Sequence, residues 1–510
     1  MKRLVKIAEK YSAFVEDSNV PLGYYILTFL VFVASRNFLE VFSDRSAVAI
    51  ISFEVHFHFY LFYVCAALTM MLLFSAATGE KIARTARLIM FSFCFVLLAP
   101  ILDLVISGGQ GYDMTYLSPR AHGDLLLRYL TGGGSFDGCG ITIGLRIEVA
   151  LVLIASFFYF KAKKVPALKS LLFVLLMYTV IFIYAIVPFI VKAILDIVDL
   201  FRTFDNMLYA KFYLLVVFVL LLALAWRWNK RYFVSMLKDM RPFRQVHAVL
   251  MFAFGIVLGP SLAWSQDMVF DLVLVVISIM WGCLFVITTN NLEDQEIDRL
   301  VNRARPLVSG AIPRSDYQKI AVVAGMLALV YAGVVSYYTL FTIFLWLGLY
   351  CLYSMPPVRL KRVPFLSKGV IALGSLAVVI MGYVFAGGEA VEFPPPIILW
   401  FLVFFTAAMN VIDIKDYEGD RQVGIKTLPV LWGRERSQRI IGLFLLLAYL
   451  VAPFAVRQIV LVLPAIGAGV VQYWLVNRKE YQEKWVFSLY LGSFVILLVV
   501  LVTFVERLTV

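Results

Sequence analysis

Long apolar stretches alternate with short charged connectors along nearly the whole chain. Runs of about 18 or more apolar residues are the length needed to cross a bilayer as a helix. Six such runs open the sequence, at 21–42, 57–77, 88–107, 141–160, 171–191 and 209–226. Nine more follow, some of them shorter, at 246–264, 271–289, 317–337, 340–353, 368–386, 395–411, 440–455, 459–476 and 485–505. The pattern predicts an all-α polytopic membrane protein. Lys and Arg test the count, because they gather on the cytoplasmic side of a correctly counted array. The connectors "EKIARTAR", "KAKK", "RLKR" and "NRKEYQEK" fall on one face with the N-terminal "MKRLVKIAEK", while "WSQDM" and "GGEAVEFPPP" fall on the other. This places the N-terminus in the cytoplasm and the C-terminus outside, as for a multi-pass protein of a prokaryotic cytoplasmic membrane. The most basic connector, 227–244, predicts a boundary between a six-helix domain, 1–235, and a nine-helix domain, 236–510.

Composition agrees: 62% of the 510 residues are hydrophobic, 15% are charged, and the mean hydropathy is +0.90. The net charge of +12 is then a topology signal on cytoplasmic loops, and nucleic acid is not an expected partner. The five cysteines (Cys65, Cys94, Cys139, Cys283, Cys351) lack the paired spacing of zinc sites or disulfide frameworks. No small-residue cleavage site follows the first apolar run, so no cleaved signal peptide is expected.

Two connectors carry chemistry. After the run at 271–289, Asn290, Asp294 and Asp298 are spaced by four, which stacks them on one helix face. After the run at 395–411, Asp416 and Asp420 repeat the spacing, with Asp413 just before them. Both rows fall on the cytoplasmic face. Four carboxylates at one membrane depth repel one another unless a divalent cation lies between them. Mg2+ takes oxygen ligands and is usually held by one or two carboxylates plus the oxygens of a substrate phosphate. The basic neighbours Arg303, Arg305, Arg359, Lys361, Arg362, Lys415 and Arg421 would complete a cradle for a diphosphate. An isolated D-x-x-x-D in a loop is ordinarily solvated surface; two copies on one face, each backed by Arg and Gly, are not isolated.

These residues resemble the UbiA superfamily of intramembrane prenyltransferases, which carries N-x-x-x-D-x-x-x-D after its second helix and D-x-x-x-D after its sixth. The flanks "DRLVNRARPLVSG", "LYSMPPVRLKR" and "DYEGDRQVGIKTLPVLWG" also look like that family's. The resemblance covers about residues 239–505 and implies a nine-helix UbiA-like bundle preceded by about six extra helices. It implies that Asp294, Asp298, Asp416 and Asp420, with Asn290, bind Mg2+ and through it a prenyl diphosphate. Arg303, Arg305, Arg359, Lys361, Lys415 and Arg421 would contact the diphosphate, and Tyr353 would stabilise the allylic cation. The implied activity is prenyl transfer to an aromatic or lipid-precursor acceptor within the bilayer, with release of diphosphate, as in lipid or quinone biosynthesis. The wording "DIKDYEGD" leans toward the homogentisate, chlorophyll and glyceryl-ether branches. Asn291 is a departure, since many members carry Asp there. The competing reading is a non-catalytic transporter or lipid-binding protein on the same scaffold, which would not need the R-P-L, Y-S-x-P-P and T-L-P flanks.

Residues 1–238 resemble nothing recognised. His56, His58 and His122, near Glu54, Asp103, Asp113 and Asp124, are conceivable metal ligands, although H-x-H in an interfacial segment is more often amphipathic surface. Asp103, Arg146 and Glu148 lie near run ends, where local ion pairing or snorkelling accounts for them as well as function does; Asp196, Asp199, Arg202 and Asp205 fall on the same outer side.

Overall fold

The computed structural model describes residues 1–43, 53–112, 116, 124–132, 141–197, 206–260 and 266–504. His122, Asp113, Cys139, Asp199, Arg202 and Asp205 lie outside the described residues. Every described regular element is helical. Fourteen helices among the described residues are long and apolar enough to cross a membrane, and a fifteenth apolar helix, Pro242–Leu258, is shorter. The protein is therefore an all-α polytopic membrane protein. Helices suit such sequences because each satisfies its backbone polar groups within its own segment.

Contacts divide the chain into two compact units, Met1–Lys230 with Ser265–Phe270, and Arg231–Trp264 with Asp271–Val510. The first holds α1 (Lys2–Glu16), α2 (Leu22–Ser43), α3 (Phe53–Thr78), α4 (Ile82–Ser92), α5 (Leu98–Ile106), α6 (Asp124–Thr131), α7 (Ile143–Ala162), α8 (Ala167–Ala185), α9 (Val187–Ile197) and α10 (Asn206–Trp228). Two differ from the expected pattern. The amphipathic α1 lacks the long apolar run that marks a span and so escaped the count. The run at 171–191 is not one helix: α8 ends at Ala185 and α9 restarts with Pro188 in its first turn, where the missing N–H costs nothing.

Phe74, Phe160, Val33 and Met177 form the buried apolar core of this unit. Arg36 is buried too, bonded through Nε to Glu40 at 2.6 Å and through Nη1 to Glu148 at 3.3 Å and to the Val96 carbonyl at 2.6 Å. Asp103 accepts from the Gly144 N–H at 2.7 Å. Ion pairing and backbone bonding, not snorkelling, thus account for Glu148 and Asp103. His58 is only 2% exposed, which corrects its reading as amphipathic surface: the imidazole turns inward.

The second unit opens with α11 (Lys230–Asp239) and α12 (Pro242–Leu258), followed by α13 (Gln266–Glu293), α14 (Gln295–Val301), α15 (Arg314–Val335), α16 (Tyr337–Ser354) and α17 (Leu366–Phe385). It continues with α18 (Pro395–Trp400), α19 (Thr406–Ala408), α20 (Asp413–Val423), α21 (Leu428–Trp432), α22 (Arg434–Ala455), α23 (Val462–Val476) and α24 (Glu483–Phe504). α12 lies against α17, and α22 against α23. The first pair packs backbone to backbone: a methyl group at Gly382 would lie 2.1 Å from the Phe252 carbonyl oxygen, and one at Gly255 would lie 1.8 Å from that of Val379. Small residues allow such approach where lipid offers no hydrophobic drive between helices.

Candidate active site

Both acidic rows sit where an apolar helix reaches its end. α13 stops at Glu293 and α14 starts at Gln295, yet the ladder runs on, because the Asp294 N–H donates to the Asn290 carbonyl at 2.9 Å and the Asp298 N–H to that of Asp294 at 2.8 Å. Asn290, Asp294 and Asp298 therefore keep helical register. The second row follows a segment that is not uniformly α: a π-turn at Phe401–Phe405 and a 3-10 turn at Met409–Ile412 lead into α20. Departures of this kind re-aim the residues that follow and often lie near functional sites. α20 ends at Gly424, whose φ of 76° suits a residue without a side chain. α14 packs against α20, so the two rows come together.

The first row is already held by cations. Asp294 accepts from Lys361 and, at 3.1 Å, from Arg359, whose guanidinium also reaches the Glu293 carbonyl at 3.1 Å. Asp298 accepts from Arg305 and, at 3.1 Å, from the Asn302 amide. The Ser354 hydroxyl donates to Asn290 Oδ1 at 3.2 Å. Burial raises the Asp298 carboxyl above the ordinary range despite Arg305 and Asn302, and burial lowers Lys361 despite Asp294. In the second row Asp413 is paired with Lys368 at 2.5 Å, and both are buried. Tyr353, at the end of α16, lies within electrostatic reach of Lys368, Asp413, Arg244 and Asp294.

Beside them is a cavity of about 330 Å³ lined by Arg241, Arg244, Asn302, Arg305, Lys415 and Asp416, with Glu483, Lys484, Phe243 and Phe487. Basic residues outnumber acidic ones there. Burial, with Arg244 and Arg305 nearby, pulls the Arg241 guanidinium down from its usual value, while Asp239 and Asp298 act against it. Of the residues named from sequence, Asn290, Asp294, Asp298, Arg305, Arg359, Lys361 and Tyr353 are brought together on the first row's side. Asp416 and Lys415 meet Arg305 in the cavity, with Lys415 also paired to Glu483 at 2.8 Å. Arg303 is exposed and donates back to the Arg299 carbonyl at 3.3 Å, and Arg421 is exposed with its guanidinium 3.4 Å from the Tyr417 hydroxyl. Neither reaches the rows.

Sequence reading marked Asn291 as a departure but did not show what it braces. Asn291 points away from the acidic row into a buried network. Its amide donates to Asp239 at 2.7 Å and to the Tyr317 hydroxyl at 2.9 Å, and its Oδ1 accepts from Arg241 at 3.1 Å and Arg305 at 2.7 Å. The departure at this position is thus in the support of Arg305, not in the row itself. Lys368 was the available signal for the second pair: a lysine inside an apolar run needs a buried partner.

The C-terminal unit thus gathers carboxylate rows and several guanidinium groups at one end of its helices. Residues 248–498 match the model of the UbiA prenyltransferase family. The chain is 32% identical over 176 residues to digeranylgeranylglyceryl phosphate synthase of Pyrococcus abyssi, covering 34% of this chain and 60% of that protein. It is 30% identical over 182 residues to homogentisate phytyltransferase of Synechocystis, covering 34% of this chain and 58% of that one. The chain thus spans about three-fifths of the length of these relatives. Among solved structures, a UbiA homolog from Archaeoglobus fulgidus bound to DMAPP and Mg2+ is 20% identical, with a TM-score of 0.45, over 52% of this chain and 97% of that one.

Proposed function

We propose that the C-terminal unit transfers a prenyl group from a prenyl diphosphate to an acceptor at the membrane surface and releases diphosphate, with Mg2+ held by Asp294, Asp298, Asp416 and Asp420. The observation that carries this reading is the meeting of α14 with α20, which brings two carboxylate rows and the basic cavity to one place. The donor set fits the ion: all its ligands are carboxylate oxygens, and two of them per ion suffice when phosphate oxygens supply the rest. When bound, Mg2+ would neutralise charge developing on the departing diphosphate.

The chain's own groups do the remainder. Lys361 and Arg359 share Asp294, and Arg305 is carried by Asn291, so each offers N–H donors that a diphosphate oxygen accepts without reorganising the backbone. Tyr353, within electrostatic reach of Asp294 and Asp413, would offer a π-face to the allylic carbon as its bond to oxygen lengthens. The surplus of Arg and Lys in the cavity favours an acceptor that is itself anionic, either an aromatic acid or a lipid-precursor phosphate. On the predicted topology this site faces the cytoplasm.

The test is incubation of the full-length protein in nanodiscs with labelled prenyl diphosphates and a panel of acceptors, with Mg2+ or with EDTA. The expected result is Mg2+-dependent release of diphosphate and a prenylated anionic acceptor in the lipid extract. Cation or substrate movement across the bilayer without any bond cleavage would replace this reading with the transporter one.

A further inference from the structure

The N-terminal unit carries a chamber of about 1030 Å³, at the upper end of the volumes found for small-molecule sites. It is partly open at its side, where Ile7, Leu151 and Ile154 are exposed, so an apolar chain can enter it from the bilayer. Most of its wall is apolar, with Phe62, Met70, Phe74 and Phe93 among the lining side chains. The charged residues among the described lining are Arg36, Glu40, Arg146 and Glu148, two of each sign. Arg36 closes on both carboxylates, and Glu148 also accepts the Ala99 N–H at 3.0 Å.

His58, from α3, lines the same chamber. Its Nδ1 lies 3.4 Å from the Glu54 carbonyl, whereas its Nε2 has no hydrogen-bond partner among the described residues although the side chain is nearly fully buried. Aromatic rings flank it, Phe59 at 4.1 Å, Tyr116 at 5.9 Å and Tyr209 at 6.1 Å between centroids. A buried polar atom left in this state is where a ligand group belongs.

We propose that this chamber binds a membrane amphiphile with a long apolar chain and an uncharged hydroxyl head that hydrogen-bonds His58. Charge balance selects the head: an anion would meet Glu40 and Glu148, a cation would meet Arg36 and Arg146, and neither finds net compensation in a low-dielectric wall. A hydroxyl, as donor and acceptor, serves an imidazole nitrogen in either tautomer. The proposal stands on the N-terminal unit alone and does not depend on the reaction assigned to the other unit.

The probe is a C20 alcohol carrying a diazirine in its chain, compared with the same chain ending in a carboxylate or a trimethylammonium group. Full-length protein in nanodiscs is photolysed, digested and mapped by mass. The alcohol is expected to label chamber-lining residues of α3 and α7 saturably, at least fivefold above either charged chain. His58→Phe is expected to lower that labelling at least fivefold, with His58→Gln restoring most of it. Ala66→Trp, which puts an indole into the chamber, is expected to lower it at least fivefold, and decides the matter should His58→Phe fail to fold. Labelling confined to residues outside the chamber overturns the proposal, as does equal labelling by all three chains or labelling unchanged by Ala66→Trp.

Discussion

Both units bury charge in an apolar setting, and they do so in opposite ways. In the N-terminal unit the charges sit inside the helices and balance: the chamber wall sets Arg36 and Arg146 against Glu40 and Glu148, and Arg36, 1% exposed, bonds both carboxylates. In the C-terminal unit they sit at helix ends and do not cancel, since the cavity beside the acidic rows sets Arg241, Arg244, Arg305, Lys415 and Lys484 against Asp416 and Glu483. A closed set of charges holds the fold and leaves the ligand to be uncharged. An open set stores unspent attraction for an ion. The difference predicts that removing a charge damages stability in one unit and substrate handling in the other.

The largest effect is expected from Arg36→Met. It strands Glu40 and Glu148 in the bilayer interior, and breaking a buried pair in this way typically costs about 3–5 kcal/mol. Denaturant unfolding in detergent should show the loss. A stability equal to that of the parent would mean that the set is not closed. Next come Asp294→Ala and Asp416→Ala, each expected to slow diphosphate release by about 10²–10³-fold, the scale for losing one preorganised electrostatic group, while the protein remains folded. Full turnover by both variants would remove the rows from the chemistry. Third is Arg305→Met. Losing a charge-assisted hydrogen bond to diphosphate is worth about 1.5–3 kcal/mol, or roughly 10–100-fold in KM for the prenyl diphosphate. The comparison breaks if Arg305→Met instead unfolds the protein as Arg36→Met does.

The same contrast explains what could be read in advance. Spans were legible because a run of apolar residues has only one way to satisfy its backbone in lipid. The carboxylate rows were legible because a spacing of four fixes a shared face whatever the tertiary fold. Partners far apart in sequence were not. Nothing local ties Lys368 to Asp413, or Asn291 to Asp239 and Tyr317, and these contacts exist only once the helices have packed. Arg36 and Glu40 did carry a local signal, two opposite charges four apart inside an apolar run, but Glu148 completes the set from a different helix. Arg303 and Arg421, although adjacent in sequence to the acidic rows, bond the Arg299 carbonyl and the Tyr417 hydroxyl, partners their spacing did not indicate.

The smallest expected effect tests whether closure extends to the aqueous edge of the N-terminal unit. There Lys163 bonds Glu16 at 2.5 Å and Glu80 at 2.9 Å, and Glu80 also takes Arg84 at 3.1 Å. Burial alone would lower Lys163, but Glu16 and Glu80 raise it; burial alone would raise Glu80, but Lys163 and Arg84 lower it. A raised lysine contributes stability that is whole below its ordinary pKa and is lost as pH climbs through the raised value. A lowered glutamate contributes stability that is whole above its ordinary pKa and is lost as pH falls through the lowered value. Together they define a plateau of stability across neutral pH with a shoulder at each end. Because Lys163 and Glu80 are partly solvated, and the buried Glu16 keeps the Tyr159 hydroxyl as a donor at 2.7 Å, Lys163→Met should lower the plateau by about 1 kcal/mol. It should also erase the alkaline shoulder and shrink the acid one, both visible in thermal unfolding scanned against pH. A profile identical to the parent's would confine charge closure to the buried Arg36 set.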